Sequence, residues 1–409
     1  MNVPQLRFDG FDGEWETKTI NDLGTIGRGK SKHRPRNDSR LYGTEYPFVQ
    51  TSDIKNAGLF LNSYSQAYSE FGLKQSKLWP RGTLCITIAA NIAETAILEI
   101  EACFPDSIIG FTPDASKAEA VFVKKYFEFI NPVLQKLSEG VAQSNLNLEK
   151  LSSIQFNIPS LSEQQKISSF FSLIEQKIEK QQEKIEKLEH FKKGIMQKIF
   201  SQELRFKDED GGEFREWEEF SLSDLGGTYT GLSGKTKEDF GHGEASFITY
   251  VNVFNNLKTS IDGLQAVDLS DGKNQNPVCE GDILFTTSSE TPHEVGMASY
   301  WAFNQKNVYL NSFCFGFRLT SESVSGEFLT YLLRSPIYRA LITLLAQGST
   351  RYNISKIGLM KMKVLIPGIE EQKKIVRVLS QIDTKLDKEK EKLVVLEEQK
   401  KGFMQGMFV

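Results

Sequence analysis

The chain has 409 residues, enough for two domains of ordinary size, and its 39% apolar, 11% aromatic and 25% charged residues fit a globular protein. No apolar run reaches the roughly 18–20 residues of a membrane span, and the first residues lack the basic-then-apolar pattern of a secretory signal. A formal net charge of −4 offers no overall basic surplus of the kind that a simple nucleic-acid binder carries. Cys85, Cys103, Cys279 and Cys314 are scattered without a Cys-x-x-Cys pair, which argues against a disulfide framework or zinc site and for a reducing, cytoplasmic setting.

The first segment opens with Leu6-Arg7-Phe8, Glu14-Trp15 and Asp22-Leu23-Gly24, and then reaches a loop rich in cations. Arg28, Lys30, Lys32, Arg34 and Arg36 place five permanent positive charges on nine residues, interleaved with Gly29 and Ser31. Short residues let the backbone approach a phosphate while the long cations reach it, so this loop is a candidate nucleic-acid contact. Strands are expected at Tyr46–Gln50, Thr83–Ala89 and Ala96–Ile100, with a small polar turn around Asn91 between the last two. A helix is expected over Val121–Leu137, followed by Gln143-Ser144-Asn145. Asn and Gln pair bidentately with adenine edges in the major groove, though an Asn in a turn has a structural use as well.

Next comes a helix with apolar residues at 3–4 spacing: Ile167, Phe171, Ile174, Ile178, Ile185, Leu188, Ile195 and Ile199. It follows Pro159, and Ser160-Leu161-Ser162-Glu163 reads as a capping box. The chain then starts again. Leu204-Arg205-Phe206, Glu216-Trp217 and Asp224-Leu225-Gly226 restate the opening, and Gly231 to Lys237, with Lys235 and Lys237, stands where the basic loop stood. Strands are expected at Phe247–Val253, Asp282–Thr286 and Phe313–Leu319, and a helix over Gly326–Leu345. Ser288, Ser289 and His293 occupy the polar turn, and Arg351, Tyr352 and Asn353 precede the final helix as further candidate base or phosphate contacts. That helix carries Ile375, Leu379, Ile382, Leu386, Leu393, Leu396, Phe403 and Met407.

From Glu139 to Phe200 the chain aligns without gaps to Gln347–Phe408 at a constant offset of 208. Polar residues interrupt the two seams at matching places, Gln181 with Glu389 and Lys192 with Lys400. Each globular region leads into the N-terminal end of its own helix, and the first helix must deliver the chain to the second region near residue 201. Antiparallel pairing places that destination at hand, whereas parallel pairing needs a stretched return of roughly 17 residues. Two α+β regions of strands without a regular strand–helix–strand rhythm, separated by an antiparallel two-helix coiled-coil spacer in a pseudo-twofold internal repeat, are therefore expected.

Catalytic signatures are missing from the sequence. Gly234-Lys235-Thr236 resembles the end of a P-loop, but Tyr229 stands where its first glycine is required. Asn131-Pro132-Val133-Leu134 is not the Asn-Pro-Pro-aromatic motif of adenine methyltransferases, and His33, His190, His242 and His293 have no companions at metal spacing.

The arrangement resembles the specificity subunits of type I restriction-modification systems. The local sequences that carry the resemblance are Gly82-Thr83-Leu84-Cys85-Ile86-Thr87 with the Asn91 turn, Gln143-Ser144-Asn145-Leu146, Ile158-Pro159 and Glu163-Gln164-Gln165-Lys166-Ile167. Their second copies are Gly281-Asp282-Ile283-Leu284, Arg351-Tyr352-Asn353-Ile354, Ile366-Pro367 and Glu371-Gln372-Lys373-Lys374-Ile375. The resemblance implies target-recognition domains at 1–158 and 201–366 and spacer helices at 159–200 and 367–409. It implies a non-catalytic subunit that reads an asymmetric, bipartite site on double-stranded DNA and docks two modification (methyltransferase) subunits, with restriction (motor-nuclease) subunits in the full complex. S-adenosylmethionine, ATP and Mg would then sit on those partners, with no cofactor or metal on this chain and no membrane. Two alternatives carry other expectations: a specificity subunit serving a methyltransferase without a motor nuclease, and a coiled-coil scaffold joining two protein-binding domains.

Overall fold

The same short device opens both halves. Thr19 and Ser221 each receive their helix's third residue, and Asp22 and Asp224 accept the Thr19 and Ser221 amides at 2.8 and 2.7 Å. These reciprocal caps satisfy donors that a one-turn helix, Ile20–Leu23 or Leu222–Leu225, would otherwise leave unpaired. Glycine follows each one because the chain there runs tight against a neighbouring strand. A Cβ on Gly24 would lie 2.3 Å from the Thr112 carbonyl, and one on Gly226 would lie 2.2 Å from that of Arg318.

The computed structural model describes residues 2–89, 91–139, 146–270, 272 and 274–409. It divides into two compact units, Met1–Lys184 with Glu389–Val409, and Ile185–Lys388. In the first, a five-stranded sheet runs Gly24–Arg28, Ile108–Pro113, Leu84–Thr87, Thr95–Leu98, Phe60–Leu61, antiparallel except at the last pair. Its central strands Leu84–Thr87 and Thr95–Leu98 are buried on both faces, since the helix Ala120–Glu139 covers one and a four-stranded sheet containing Tyr42–Phe48 lies beyond the other. The second unit has a four-stranded antiparallel sheet, Gly226–Thr230, Cys314–Leu319, Ile283–Thr286, Ala298–Tyr300, and a three-stranded sheet built on Phe240–Ile248. In each unit a two-stranded ribbon leads to the long helix: Glu16–Thr19 with Gln155–Ile158, and Glu218–Ser221 with Lys363–Ile366. Mixed sheets and helices in two domains are what the strand pattern led us to expect.

Two expected elements differ. The stretch Phe247–Val253 is strand only to Ile248, because the Thr249 hydroxyl accepts the Asn252 amide at 3.2 Å and starts the helix Tyr250–Asn255. The single helix expected over Gly326–Leu345 is two, Gly326–Arg334 and Pro336–Thr343. Pro336 has no amide hydrogen to continue the first, and Ser335, whose backbone is extended, caps the second.

The long helices run Leu161–Phe200 and Ile369–Met407. Within the first unit, Phe170 meets Phe403 with ring centroids 5.0 Å apart, Glu175 meets Lys400 at 2.6 Å, and Gln181 donates to Glu389 at 2.8 Å. Residue numbers rise on one helix as they fall on the other, so the two stretches are antiparallel. The second unit repeats the pattern. Lys192 pairs with Asp383, and Met196, Ile199 and Phe200 pack in one core with Ile375 and Leu379. Along the seams Ile167, Phe171, Ile178, Ile185, Ile375, Leu379 and Leu386 are buried, while Ile174, Leu188, Ile382, Leu393 and Leu396 are half-buried.

Each helix start is fastened to its own unit by the same two side chains. Glu163 takes Arg7 through both oxygens at 2.8 Å, and Glu371 takes Arg205 at 3.1 Å and the Trp217 indole at 3.1 Å. Gln164 bonds the Glu119 amide and the Lys117 and Pro159 carbonyls, and Gln372 the Ser325 amide and the Ser323 and Pro367 carbonyls. The capping box expected at Ser160–Glu163 is thus only half formed. Ser160 accepts the Glu163 amide at 3.4 Å, but the Glu163 carboxylate turns to Arg7.

Candidate nucleic-acid interface

The basic loop of the first unit is a built structure. Gly29 lies against the Phe104 and Pro105 carbonyls, where a Cβ would come within 2.2 Å, and its amide donates to Ile108 at 2.9 Å. The Lys30 amide bonds Phe104 and the Lys32 amide bonds Gln75, both at 3.1 Å, and the Ser76 hydroxyl bonds the Lys30 carbonyl at 2.8 Å. Arg34 reaches back to the Ser31 and His33 carbonyls, and the Tyr42 hydroxyl holds the Arg36 carbonyl. His33 meets Asp38 at 2.7 Å and sets its ring edge-on to Phe71. Asp38 also takes Arg40, whose guanidinium and amide, together with His33, hold that carboxyl well below the usual range.

With the backbone tied down, the cations stand outward. Arg28, Lys30, Lys32, Arg34 and Arg36 are all exposed. Arg36 has a carboxylate neighbour, Asp106 at 2.9 Å, and Arg28 bonds the Asp106 backbone carbonyl. Two further basic residues, Arg40 and Lys77, belong to this surface. Lys77 lies 3.5 Å over the Trp79 ring, and burial together with Lys30 lowers its affinity for its proton. Sequence reasoning passed over Lys77 because only the Lys32–Gln75 and Ser76–Lys30 bonds bring it here.

In the second unit the corresponding loop is made differently. Ser233 exchanges two hydrogen bonds of 3.0 Å with the Gln275 amide group, and Asn276 bonds Thr230. Lys237 is exposed, but the Lys235 side chain is only 3% exposed, with its ammonium 3.9 Å from Asp239.

The structure also gathers residues that are far apart in sequence. Ser288–Ser289 forms a strand against Tyr352–Ile354, which in turn pairs with Ala346–Gln347. Ser288 faces Asn353 and Ser289 faces Tyr352 in register. Asn353 is exposed and Tyr352 half-buried, and Arg351 stacks 5.3 Å over the exposed Phe313 ring. Ser288 itself is buried, its carbonyl accepting the Tyr250 hydroxyl at 2.6 Å, and Ser289 donates to Glu294. His293 is exposed, and its carbonyl takes Arg339. Phe313, 53% exposed, is a surface residue that the strand pattern had hidden. In the first unit Asn91 is half-buried in a turn closed by Thr87, and Gln143 and Asn145 lie outside the described residues.

Comparison with known proteins decides the family. The model of the type I restriction modification DNA specificity domain matches twice, over residues 12–190 and 215–398. The chain belongs to this family. Among individual relatives, this specificity-family chain is 26% identical to the MjaIX specificity subunit of Methanocaldococcus jannaschii over 298 residues, covering 69% of this chain and 68% of that one. It is 27% identical to the HindI specificity subunit of Haemophilus influenzae over 150 residues, 36% of this chain and 32% of that one. The crystal structure of the type I restriction-modification S subunit from M. genitalium shares the fold, with TM-score 0.59 and 14% identity over 100% of this chain and 99% of the other. A second solved structure, from work on the assembly and conformational transition of the type I R-M system, gives TM-score 0.59 at 15% identity over 96% of each chain. No helix among the described residues is long and apolar enough to cross a membrane.

Proposed function

We propose that this chain is the sequence-reading, non-catalytic subunit of a cytoplasmic type I restriction-modification complex. The observation that carries the reading is the double family match, one copy per unit, laid over equivalent loops whose surfaces differ. One copy offers a cationic loop with five exposed cations, Arg28 to Arg36, and at the equivalent place the other buries the Lys235 side chain and exposes Lys237. Heads that differ in this way suit a target whose two halves differ. The antiparallel long helices act as a coiled-coil spacer between the recognition regions 1–158 and 201–366, with a pseudo-twofold repeat of their seams. Support comes from Gln181 and Glu389, which occupy equivalent positions 208 residues apart and bond each other. In this reading the outward side chains of the helices dock two methyltransferase subunits. S-adenosylmethionine belongs to those subunits, ATP and magnesium belong to the motor-nuclease subunits, and no cofactor belongs to this chain.

The decisive test exchanges residues 201–358 for those of another family member and maps methylated adenines in the host genome. One half of the methylated motif changes and the other stays the same. A change in both halves, or in neither, defeats the modular reading.

A further inference from the structure

Resting on the reading that this chain binds duplex DNA, we infer that its two recognition units divide the work unequally, the first carrying the sequence-independent grip on the phosphate backbone through the loop Arg28–Arg40. The two loops occupy corresponding places in their units, entered by Gly29 and Gly231, each with its Cβ position closed off by neighbouring carbonyls. Over Arg28–Arg40 the sequence holds six Arg and Lys against the single Asp38, a formal charge of +5. Over Thr230–His242, Lys235 and Lys237 are balanced by Glu238 and Asp239, a formal charge of zero.

Burial and pairing widen that difference. Among the described residues, no carboxylate lies within ion-pair distance of Arg28, Lys30, Lys32 or Arg34, so no ion pair neutralises these four exposed cations. In the second unit Lys235 is turned inward, which leaves Lys237 as the exposed cation of its loop among the described residues. The backbone of the first loop is held at Gly29, Lys30, Lys32 and Arg36 by bonds to three separate parts of the unit, so the positions from which its cations project are fixed. A backbone that needs no ordering loses less entropy on meeting a polyanion. The second unit fastens its loop with the Gln275 and Asn276 amides, which bring no charge. The overall net charge of −4 makes this local concentration more consequential, since the remainder of the chain supplies no general attraction.

Cations that meet phosphates displace condensed counterions, so the slope of log K against log salt counts them, at about 0.9 per contact on duplex DNA. The experiment uses the full chain assembled with its methyltransferase subunits and a random-sequence duplex as probe. The variant Lys30→Gln/Lys32→Gln/Arg34→Gln should reduce the magnitude of the salt slope by about 2–3, whereas Lys237→Gln should change it by less than about 1. A charge-keeping control, Lys30→Arg/Lys32→Arg/Arg34→Lys, retains the wild-type slope and separates charge from loop folding. An unchanged slope in the first variant, or an equal drop in both, overturns the unequal division. Failure of the broader reading is distinguishable, because it appears as a wild-type assembly with no preference for any DNA sequence in competition, whatever the slopes.

Discussion

Glu163 and Glu371 hold the same position in the two halves, each 1% exposed or less, but serve different donors. Glu163 gives both oxygens to Arg7, whereas Glu371 shares itself between Arg205 and the Trp217 indole. Removing Glu371 leaves the Trp217 indole N–H without its acceptor and takes from Arg205 its buried carboxylate, leaving it Glu216 and the Phe214 and Arg215 carbonyls, so Glu371→Ala should destabilise the second unit by about 2–3 kcal/mol. Trp217→Phe, which removes a single neutral hydrogen bond, should cost about 1 kcal/mol. Denaturant melts of the two variants test this ranking, and equal losses would contradict it. Both residues were visible in the sequence as repeated letters. Glu163 reads locally as a cap because its real partner stands 156 residues away, and a pattern confined to neighbours cannot see it. The inward turn of Lys235 was not legible either: a lysine between glycine and threonine looks solvated, and its side chain is only 3% exposed in the folded loop.

At the level of elements, the helix Ala120–Glu139 grips the long helices through charge as well as packing. Lys125, fully buried, bonds Glu128 at 2.8 Å and pairs with Glu175, while Lys400 reaches Glu175 at 2.6 Å. Burial alone would push Glu128 up, but Lys124, Lys125 and Lys400 outweigh it and hold the carboxyl at about 2, and Glu175 is lowered in the same way. A carboxyl depressed in the folded state stabilises above its unfolded value of about 4.3 and loses that contribution as pH falls toward its folded value. Glu128→Gln should therefore lower the melting temperature at neutral pH, and the gap from wild type should close between about pH 4 and about pH 2. A gap that stays constant across that window would rule out the charge mechanism. The aliphatic and aromatic seam allows a plainer comparison. Phe171, fully buried against Phe170 and Phe408, should cost about 3–5 kcal/mol on truncation to Ala, while Leu173→Ala, at 59% exposed, should fall within about 0.5 kcal/mol of wild type in the same melts. The long helices were legible because their 3–4 periodicity persists for some forty residues and occurs twice. Short elements were less so. One serine and one proline at 335 and 336 split an expected helix, and Thr249 converted half a strand into a helical turn, decisions made by single capping groups that a periodic pattern averages away.

For the molecule as a whole, the helices repeat well and the globular regions poorly, which is the distribution expected if spacing is held constant while the reading surfaces vary. Antiparallel helices that bond equivalent residues at one level, Gln181 to Glu389, lengthen symmetrically only when both gain the same number of residues around that level. A seven-residue insertion next to Gln181, matched by one next to Glu389, preserves a 3.5-residue seam and adds about 10 Å of helix. If the helix pair is the ruler, the methylated motif should keep both half-site sequences and gain about three base pairs between them, at about 3.4 Å of rise per pair. Insertion into one helix alone should instead break the register of Lys192 with Asp383 and of Glu175 with Lys400, and no assembled complex should form. Genome-wide mapping of adenine methylation reads the first outcome, and co-purification with the methyltransferase subunits reads the second. An active complex that carries the double insertion and still methylates the original spacing would separate the helices from the measurement of distance and leave them only the task of holding partners.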